Sequence, residues 1–320
     1  MKNRILCSCL VVVMSWSFAT TAYGQCNVIE QRIFVQQSQP PQNKPVKLVS
    51  RPGAPAHKVI FFRTSLRVNT DGAPNSYHPQ DLKGSVKAIN NICNAASVRR
   101  NGQKLPCPDA RSVFAQFVAN NFKEPTGTSI KWQNVIAATT DATGRIIPCV
   151  FKSGPFTGYF GSLTSLKNGL TGAAAGECEH LNQLDQRIIP AFVLPGGENV
   201  VTKLGAGQGD LLVAFNPANN VVTAAIVGDV GEAGKLGEGS VGLNMVLLGK
   251  TEQPVTFQQA KQLDTGNKVM LIAIIPKSGT FNPQKPFTKE NIASRVEQWI
   301  TQAGFSSQQN FVDFMKSCNN

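Results

Sequence analysis

Two carboxylates flank the most unusual segment of the chain, the glycine-rich residues 228–240. Asp229 stands at the end of an apolar run that predicts a strand, and Glu238 lies nine residues further on, just before a helix start at Ser240. Two carboxyl groups across a glycine loop suit glycoside hydrolysis, in which one protonates the leaving oxygen and the other activates water or attacks the sugar. The alternative from spacing alone is that both are turn carboxylates that accept hydrogen bonds from loop amides.

The surroundings expected for the two carboxylates predict different roles. The positive end of the short helix after Ser240 should favour the ionised form of Glu238. The apolar strand that leads to Asp229 should raise the pKa of that carboxyl by desolvation. We therefore predict Asp229 as the general acid and Glu238 as the general base.

The glycines of this segment do not fit a nucleotide-binding loop. A P-loop needs two glycines five positions apart followed by Lys and Ser or Thr, whereas five residues separate Gly228 from Gly234, and Leu236 follows Lys235. The glycine spacing of a dinucleotide fingerprint is also missing. The glycines instead allow tight turns and the close approach of a large ligand.

Aromatic and polar side chains elsewhere could contact a sugar. Sugar rings pack against aromatic faces, and the available platforms are Tyr77, Phe156, Tyr159 and Phe160. For each phenylalanine, packing in the core is the stronger alternative. His78 could donate a hydrogen bond to a sugar hydroxyl, and Thr164 and Ser165 could bind substrate or merely pair along a strand.

The composition indicates a globular, basic protein. The chain is 42% hydrophobic and 16% charged, with a net charge of +12, which excludes a disordered tail, a collagen-like repeat and a coiled coil. The positive charge is dispersed, and no basic run is interleaved with aromatic residues, so we expect no nucleic-acid partner.

The first 24 residues have the pattern of an export signal. Lys2 and Arg4 precede the mostly apolar residues 5–18, and small residues follow at 22 and 24. The apolar run is shorter than the ~20 residues of a membrane span, and Gln25 before Cys26 disfavours a lipid anchor. We predict cleavage after Gly24, no membrane association afterwards, and a secreted or periplasmic protein.

Six cysteines would remain after cleavage, and an even number in an exported chain favours disulfides. Six cysteines allow 15 pairings. We favour three of the possible bonds, namely Cys93–Cys107, Cys149–Cys178 and Cys26–Cys318. A zinc site is the weaker alternative, because the chain has no Cys-x-x-Cys pair and its three histidines lie far apart. We expect neither a metal nor a cofactor.

The elements that must position these side chains follow from periodicity and turn residues. Residues 25–57 are rich in Gln and Pro and predict an extended arm that wraps the domain. Asp109 could cap a helix, and Thr288 and Ser307 begin two more near the C-terminus. We predict two short strands before the first helix, over residues 59–62 and 66–68. Between the first helix and the last two we predict strands over residues 130–138, 146–151, 158–163, 187–194, 210–215, 221–227 and 269–275. The pattern is that of a mixed, β-rich α+β protein with peripheral helices.

Three stretches in sequence order carry a resemblance to a known family. They are residues 69–79 (NTDGAPNSYHP), residues 158–166 (GYFGSLTSL) and residues 227–240 (VGDVG followed by LGEGS). Over about residues 58–250 the chain resembles the fungal-type chitosanases of glycoside hydrolase family seventy-five. The resemblance implies inverting hydrolysis of β-1,4-linked glucosamine polymers by Asp229 and Glu238, with carboxyl groups about 6.5–9.5 Å apart. It also makes Asp71 a candidate for holding a substrate amine.

The Asp-x-Gly loop at a strand end is similar to that of double-psi β-barrel glycan enzymes, such as some lytic transglycosylases. By this analogy we expect a six-stranded double-psi-like β-barrel with peripheral helices. We assign residues 58–280 to a chitosanase-like catalytic domain and residues 281–320 to a helical extension packed on it. We expect a monomer whose partner is a polysaccharide.

The charge of the protein bears on which polysaccharide this is. Chitosan is a polycation in mildly acidic water, and a basic protein repels it until screening intervenes at about 8–10 Å. Five acidic side chains could form a locally negative groove: Asp71, Asp210, Asp229, Glu232 and Glu238. The alternatives are an acetylated or anionic wall glycan as substrate, a peptidoglycan-cleaving enzyme, and a glycan-binding protein without catalytic activity.

Overall fold

The computed structural model describes residues 25–319. The predicted export signal, residues 1–24, lies outside this range. Across the range that is described, no helix combines the length and the apolar character needed to cross a membrane.

Residues 25–319 contain fourteen strands and six α-helices. The strands are β1 (Asn27–Gln36), β2 (Gln42–Ser50), β3 (Lys58–Thr64), β4 (Arg67–Asn69), β5 (Ser97–Arg100), β6 (Gln103–Lys104), β7 (Thr128–Lys131), β8 (Ala138–Thr140), β9 (Ile146–Pro148), β10 (Ala191–Leu194), β11 (Leu211–Asn216), β12 (Val221–Val230), β13 (Glu238–Ser240) and β14 (Met270–Ile274). The helices are α1 (Cys107–Ala119), α2 (Val200–Lys203), α3 (Val241–Leu248), α4 (Phe257–Lys261), α5 (Lys289–Gln302) and α6 (Gln308–Ser317).

Nine of the strands form one sheet, in the order β1-β2-β3-β14-β11-β12-β10-β13-β4. Its pairs are antiparallel except β10–β12 and β13–β4, which are parallel. The sheet curls into a half-barrel, and smaller sheets of three and two strands (β6-β5-β7 and β8-β9) lie beside it. The predicted β-rich α+β class is confirmed. A six-stranded double-psi barrel is not confirmed, because the sheet has nine strands in an open order with β1 and β4 at its edges.

Both faces of the sheet are buried, which explains why its central strands are apolar without alternation. Along β11, Leu211, Val213 and Phe215 join one core, whereas Leu212 and Ala214 join the other. The second core lies inside the curl and is closed by residues of α3. The first core is covered by α5 and α6.

Helix α5 matches the amphipathic helix predicted near the C-terminus. Thr288 caps it by accepting a hydrogen bond from the backbone N–H of Asn291. Its predicted apolar side chains are all buried in the first core: Ile292, Val296, Trp299, Ile300 and Ala303.

The N-terminal segment differs from the predicted extended arm, because β1 and β2 form a hairpin at one edge of the main sheet. The inner side chains of the hairpin, Phe34, Val46 and Leu48, are buried in the core inside the curl. The exposed positions of the hairpin are mixed, because polar side chains alternate with the exposed apolar residues Val28, Ile29, Ile33 and Val35 of β1. This mixed pattern and the Gln- and Pro-rich composition hide the strands in the sequence.

Two local predictions are also corrected. Residues 158–163 form only isolated bridges, between Val150 and Phe160 and between Ile136 and Ser162, instead of a strand. Helix α1 begins at Cys107 rather than after Asp109, because Pro108 in its first turn has the backbone angle that a helix start needs.

The structure contains the three favoured disulfides, Cys26–Cys318, Cys93–Cys107 and Cys149–Cys178. Three disulfides fit a protein that folds in an oxidising compartment. The first joins the residue before β1 to the residue after α6, so it fastens the N-terminal hairpin to the helical layer.

We predict that this long-range disulfide stabilises the fold most. In the chain-entropy description, closing 292 residues is worth about 6 kcal/mol, compared with about 3 kcal/mol for the 14-residue separation of Cys93–Cys107. Urea unfolding of a Cys26→Ser/Cys318→Ser double variant should therefore show the larger loss of unfolding free energy. A Cys93→Ser/Cys107→Ser variant serves as the comparison, and an equal or larger loss there would contradict the prediction.

Candidate functional site

An open polar cleft of about 760 Å³ lies where β12 ends and β4 and β13 run side by side. Its charged lining consists of four acidic side chains, Asp71, Asp229, Glu232 and Glu238, and four basic ones, Arg67, Lys167, Lys235 and Lys261. The sequence-predicted acid and base therefore line the same cleft, together with Asp71 and Thr164.

Asp229 and Glu238 are brought together by the register of the sheet. On β10, Val193 is the partner of Asp229 in the parallel neighbour β12 and of Glu238 in the antiparallel neighbour β13. Adjacent strands lie about 4.8 Å apart, so regular spacing would place the two residues about 10 Å apart across the sheet. The β10–β12 pairing is interrupted by a register shift between Phe192 and Val193. Arg67 on β4 extends this row as the partner of Glu238.

Hydrogen bonds fix one of the two carboxyl oxygens of Asp229. Its Oδ1 accepts hydrogen bonds from the Ser165 hydroxyl (2.5 Å) and from the backbone N–H groups of Ser165 (3.0 Å) and Val230 (2.9 Å). Burial raises the pKa of Asp229, while these donors and the nearby Lys167 partly offset the rise. Since all three donors contact Oδ1, a proton on this carboxyl belongs on Oδ2.

Asp71 is fixed at the end of a short chain of hydrogen bonds. The Tyr77 hydroxyl donates to Asp71 Oδ1 (2.7 Å) and accepts from Asn90 Nδ2 (2.8 Å), while Asn69 accepts from the Asp71 backbone N–H. Burial, followed by repulsion from Asp229, raises the pKa of Asp71 from 3.8 to about 7. Asp71 is thus a third carboxyl group in the cleft, and it changes its charge near neutral pH.

Glu238 has a more basic surrounding than the other two carboxyl groups. Burial raises its pKa, and the neighbouring Lys235 and Arg67 oppose that rise. Ser240 caps α3 as predicted, by accepting from the Leu243 N–H (3.0 Å). The expected preference of Glu238 for the ionised form at this helix start is nevertheless overridden by desolvation, so the pKa values of both predicted catalytic groups are raised.

At two positions of the loop, a side chain larger than that of glycine would contact neighbouring atoms too closely. A Cβ on Gly231 would lie 3.0 Å from Glu238 Oε2. Gly237, directly before Glu238, has a φ of +116°, and a Cβ there would approach the Ser65 carbonyl oxygen to 2.3 Å. The glycine-rich sequence therefore places the backbone against the carboxylate and against β3–β4, as the sequence predicted in general terms.

Several predicted sugar contacts lie elsewhere. Tyr77 is only 1% exposed and serves Asp71 instead of offering its ring to a ligand. His78 and Tyr159 pack edge to face with ring centroids 4.8 Å apart, and neither lines the cleft. The Tyr159 hydroxyl donates to the Lys87 carbonyl. Tyr77 therefore positions Asp71, whereas His78 and Tyr159 pack against each other outside the cleft.

The predicted polar contacts are also modified. Thr164 lines the cleft, yet its hydroxyl donates to the Leu166 carbonyl (2.7 Å) and accepts from the Leu184 N–H (3.0 Å). Glu232 lies at the rim, exposed and paired with Lys235. Asp210 does not join an acidic groove, because it accepts hydrogen bonds from backbone N–H groups outside the cleft, including those of Gly207 and Gly279.

Sequence reasoning missed several cleft residues. Ser165 was recognised only as a polar residue in a matched stretch, and its contact with Asp229 spans 64 positions. Arg67, Lys167 and Asn90 carried no signal, because their place depends on which strands and turns become neighbours. The formal charges of the cleft lining cancel, so the site has an acidic centre beside basic side chains, whereas the sequence predicted a locally negative groove.

Comparison with known proteins adds no relative, since neither a protein-family model nor a curated protein matches the chain.

We predict that Ser165→Ala raises the pKa of Asp229 further, because the variant loses the hydroxyl donor to Oδ1. The shift should be about one unit, as measured by NMR titration of the aspartate carboxyl carbons. Ser165→Thr keeps a hydroxyl and is the matched control. An unchanged Asp229 titration in the alanine variant would contradict the assigned hydrogen bond.

A second prediction concerns the pH dependence of stability. The pKa of Asp71 in the folded protein, about 7, exceeds its unfolded value of 3.8, so the folded state binds the extra proton between these values. This contribution to stability is present below about pH 4 and is lost as the pH rises through 7. Asp71→Asn should therefore be more stable than the parent protein at pH 8, by at most about 4 kcal/mol, and nearly equal at pH 4. Thermal unfolding at both pH values measures the difference, and a variant that is less stable at pH 8 would refute the prediction.

Proposed function

We propose that the protein is an exported glycoside hydrolase that cleaves internal β-1,4 bonds of a chitosan-type amino-sugar polymer with inversion of configuration. The observation that carries this proposal is the sheet row in which Asp229 and Glu238 stand on either side of Val193 and line one open cleft. A separation of two strands leaves space for a water molecule and a sugar between the carboxyl groups, as an inverting mechanism requires.

The roles of the two carboxyl groups follow from their surroundings. Asp229 keeps Oδ1 engaged by three donors, which leaves Oδ2 to deliver a proton to the glycosidic oxygen. Glu238 lies beside Arg67 and Lys235, and these cations favour its ionised form relative to a carboxylate without them. Asp229 is accordingly the general acid and Glu238 the general base.

The reaction is a single displacement. Asp229 transfers its proton to the leaving oxygen as the bond between that oxygen and the anomeric carbon breaks. Glu238 removes a proton from a water molecule, whose oxygen forms the new bond to the anomeric carbon from the opposite face of the ring. One new reducing end and one new hydroxyl end result, and a proton passes from Glu238 through solvent to Asp229 before the next cycle.

Asp71 completes the acidic centre of the cleft. In its ionised form it would attract the ammonium group of a glucosamine unit, and in its neutral form it would accept or donate a hydrogen bond to an acetamide. Its proximity to Asp229 contributes to the raised pKa of Asp71 itself, because two nearby carboxylates resist simultaneous ionisation.

We further propose that the curled sheet contains a six-stranded double-psi-like unit, to which the N-terminal hairpin is added. The support for this is the Asp-x-Gly loop at the end of β12, next to the parallel pair β10–β12. The three disulfides support a secreted or periplasmic location. We propose that the protein acts as a monomer.

The proposal predicts that Asp229→Asn and Glu238→Gln each reduce the hydrolysis of soluble chitosan by at least about 100-fold, since general acid–base catalysis contributes about 10²–10⁴-fold. Both substitutions are nearly isosteric, so the melting temperature should remain close to that of the parent protein. Reducing-end release measures the activity, and the exposed Glu297→Gln on α5 and Asp313→Asn on α6 are the matched controls.

Proton NMR of the first product should show the inverted anomer. Retained activity in either active-site variant would refute the assignment of that residue. Tight binding of polysaccharide without new reducing ends would indicate a glycan-binding protein, and anhydro-sugar products would indicate a peptidoglycan-cleaving enzyme instead.

A further inference from the structure

We infer that the cleft continues into a subsite for a carboxylate group carried by the sugar polymer. A pocket of about 150 Å³, called the side pocket here, adjoins the cleft and shares Arg67, Lys235 and Glu238 with it. Its other lining residues are Gln36, Ser38, Gln42, Lys44, Ser65, Leu236 and Gly237. The side pocket is far smaller than the cleft, so it suits a substituent of a sugar rather than a further length of chain.

Three cations line the side pocket, namely Lys44, Arg67 and Lys235. Lys44 is fixed there, because its Nζ donates to Thr64 Oγ1 (2.8 Å) and to the Leu236 carbonyl (2.9 Å). An ammonium has three N–H groups, so one donor of Lys44 remains for a ligand. Partial burial, followed by the charge of Arg67, lowers the pKa of Lys44 to about 8.

Arg67 is an exposed cation that is available to bind an anion. Within residues 25–319 its guanidinium makes no hydrogen bond and no ion pair, although it lies between the cleft and the side pocket. Lys235, by contrast, already has a partner, because it pairs with the exposed Glu232 (2.7 Å). A planar guanidinium binds a carboxylate through two parallel hydrogen bonds, a geometry that an ammonium cannot reproduce.

The position of the side pocket connects it with the reaction. It lies directly beside Glu238, so its occupant would be a substituent on a sugar next to the cleaved bond. The acidic centre around Asp71 and Asp229 would hold the amino sugar, and the side pocket would hold the acid. The subsite rests on the proposed function only for the identity of the sugar chain, and its binding test does not require hydrolysis.

A simpler role for these cations is to favour the ionised form of Glu238. That role and the subsite make different predictions for an Arg67 variant. If Arg67 only supports Glu238, its removal lowers the hydrolysis of every substrate by the same factor and leaves ligand preference unchanged. If it binds a carboxylate, its removal abolishes the preference for ligands that carry one.

The test compares chitosan oligomers with carboxymethyl-chitosan oligomers of the same length. Calorimetric binding is measured in the full mature chain carrying Asp229→Asn, so that turnover does not interfere. We expect the carboxymethylated oligomer to bind at least tenfold more tightly, Arg67→Ala to reduce this preference to less than twofold, and Arg67→Lys to give an intermediate value. Arg100→Ala removes an exposed arginine on β5 that lines neither cavity, and it should leave the preference intact.

Arg67→Ala and Arg100→Ala change the net charge equally. The Arg100→Ala control therefore distinguishes binding at the subsite from electrostatic attraction by the whole basic protein. An NMR titration of Lys44 supplies a second measurement, since a bound carboxylate should raise its pKa above about 8. Equal binding of the two oligomers, no binding of either, or a preference that survives Arg67→Ala would overturn the inference. Carboxylate-dependent binding without any hydrolysis by the parent protein would instead refute the proposed function and leave the subsite standing.

Discussion

The structure depends on holding three carboxyl groups, Asp71, Asp229 and Glu238, partly desolvated in one cleft. Removing such groups from water and placing them near one another is unfavourable unless donors or cations compensate each of them. Different groups compensate the desolvation of each carboxyl group. Tyr77 donates to Asp71, Ser165 and the Val230 N–H donate to Asp229, and Lys235 and Arg67 flank Glu238. Burial raises the pKa of all three groups, and a different set of donors or cations opposes that rise at each of them.

Sequence patterns revealed the features that depend on local periodicity or on residue type. The apolar face of α5, the cap at Ser240 and the shared cleft of Asp229 and Glu238 could be recognised because each is encoded within about twenty residues. The position of Arg67 beside Glu238 depends on parallel pairing of β4 with β13, across 171 positions of sequence. Register between distant strands leaves no mark in the composition of either strand. For the same reason Tyr77 resembled a sugar platform, although tertiary packing buries it beneath Asp71.

The N-terminal hairpin shows how composition can mislead about architecture. Its polar outer positions suggested a loose arm, yet Phe34, Val46 and Leu48 complete a core of the sheet. The hairpin also contacts the glycine loop directly, through the Gln37 N–H to the Gly234 carbonyl (2.8 Å) and the Leu236 N–H to Gln36 (2.9 Å). The loop that precedes Glu238 is thus anchored by a segment some 200 positions earlier, and the Cys26–Cys318 disulfide anchors that segment in turn. Residues far from the reacting groups therefore determine how firmly Glu238 is placed.

The distribution of charge bears on how a basic protein could bind the amino-sugar substrate that we propose. At a net charge of +12, long-range attraction favours anionic polymers, but the field of distant side chains is screened within about 10 Å at ordinary ionic strength. Recognition inside the cleft is then decided by neighbouring groups, which are acidic around Asp71 and Asp229 and basic around Lys44 and Arg67. A polymer that carries both amines and carboxylates is complementary to both regions, and it would also be attracted by the basic surface as a whole. Under the proposed function, a purely cationic polymer would satisfy only the acidic centre, whereas a mixed polymer would be complementary to the proposed carboxylate subsite as well.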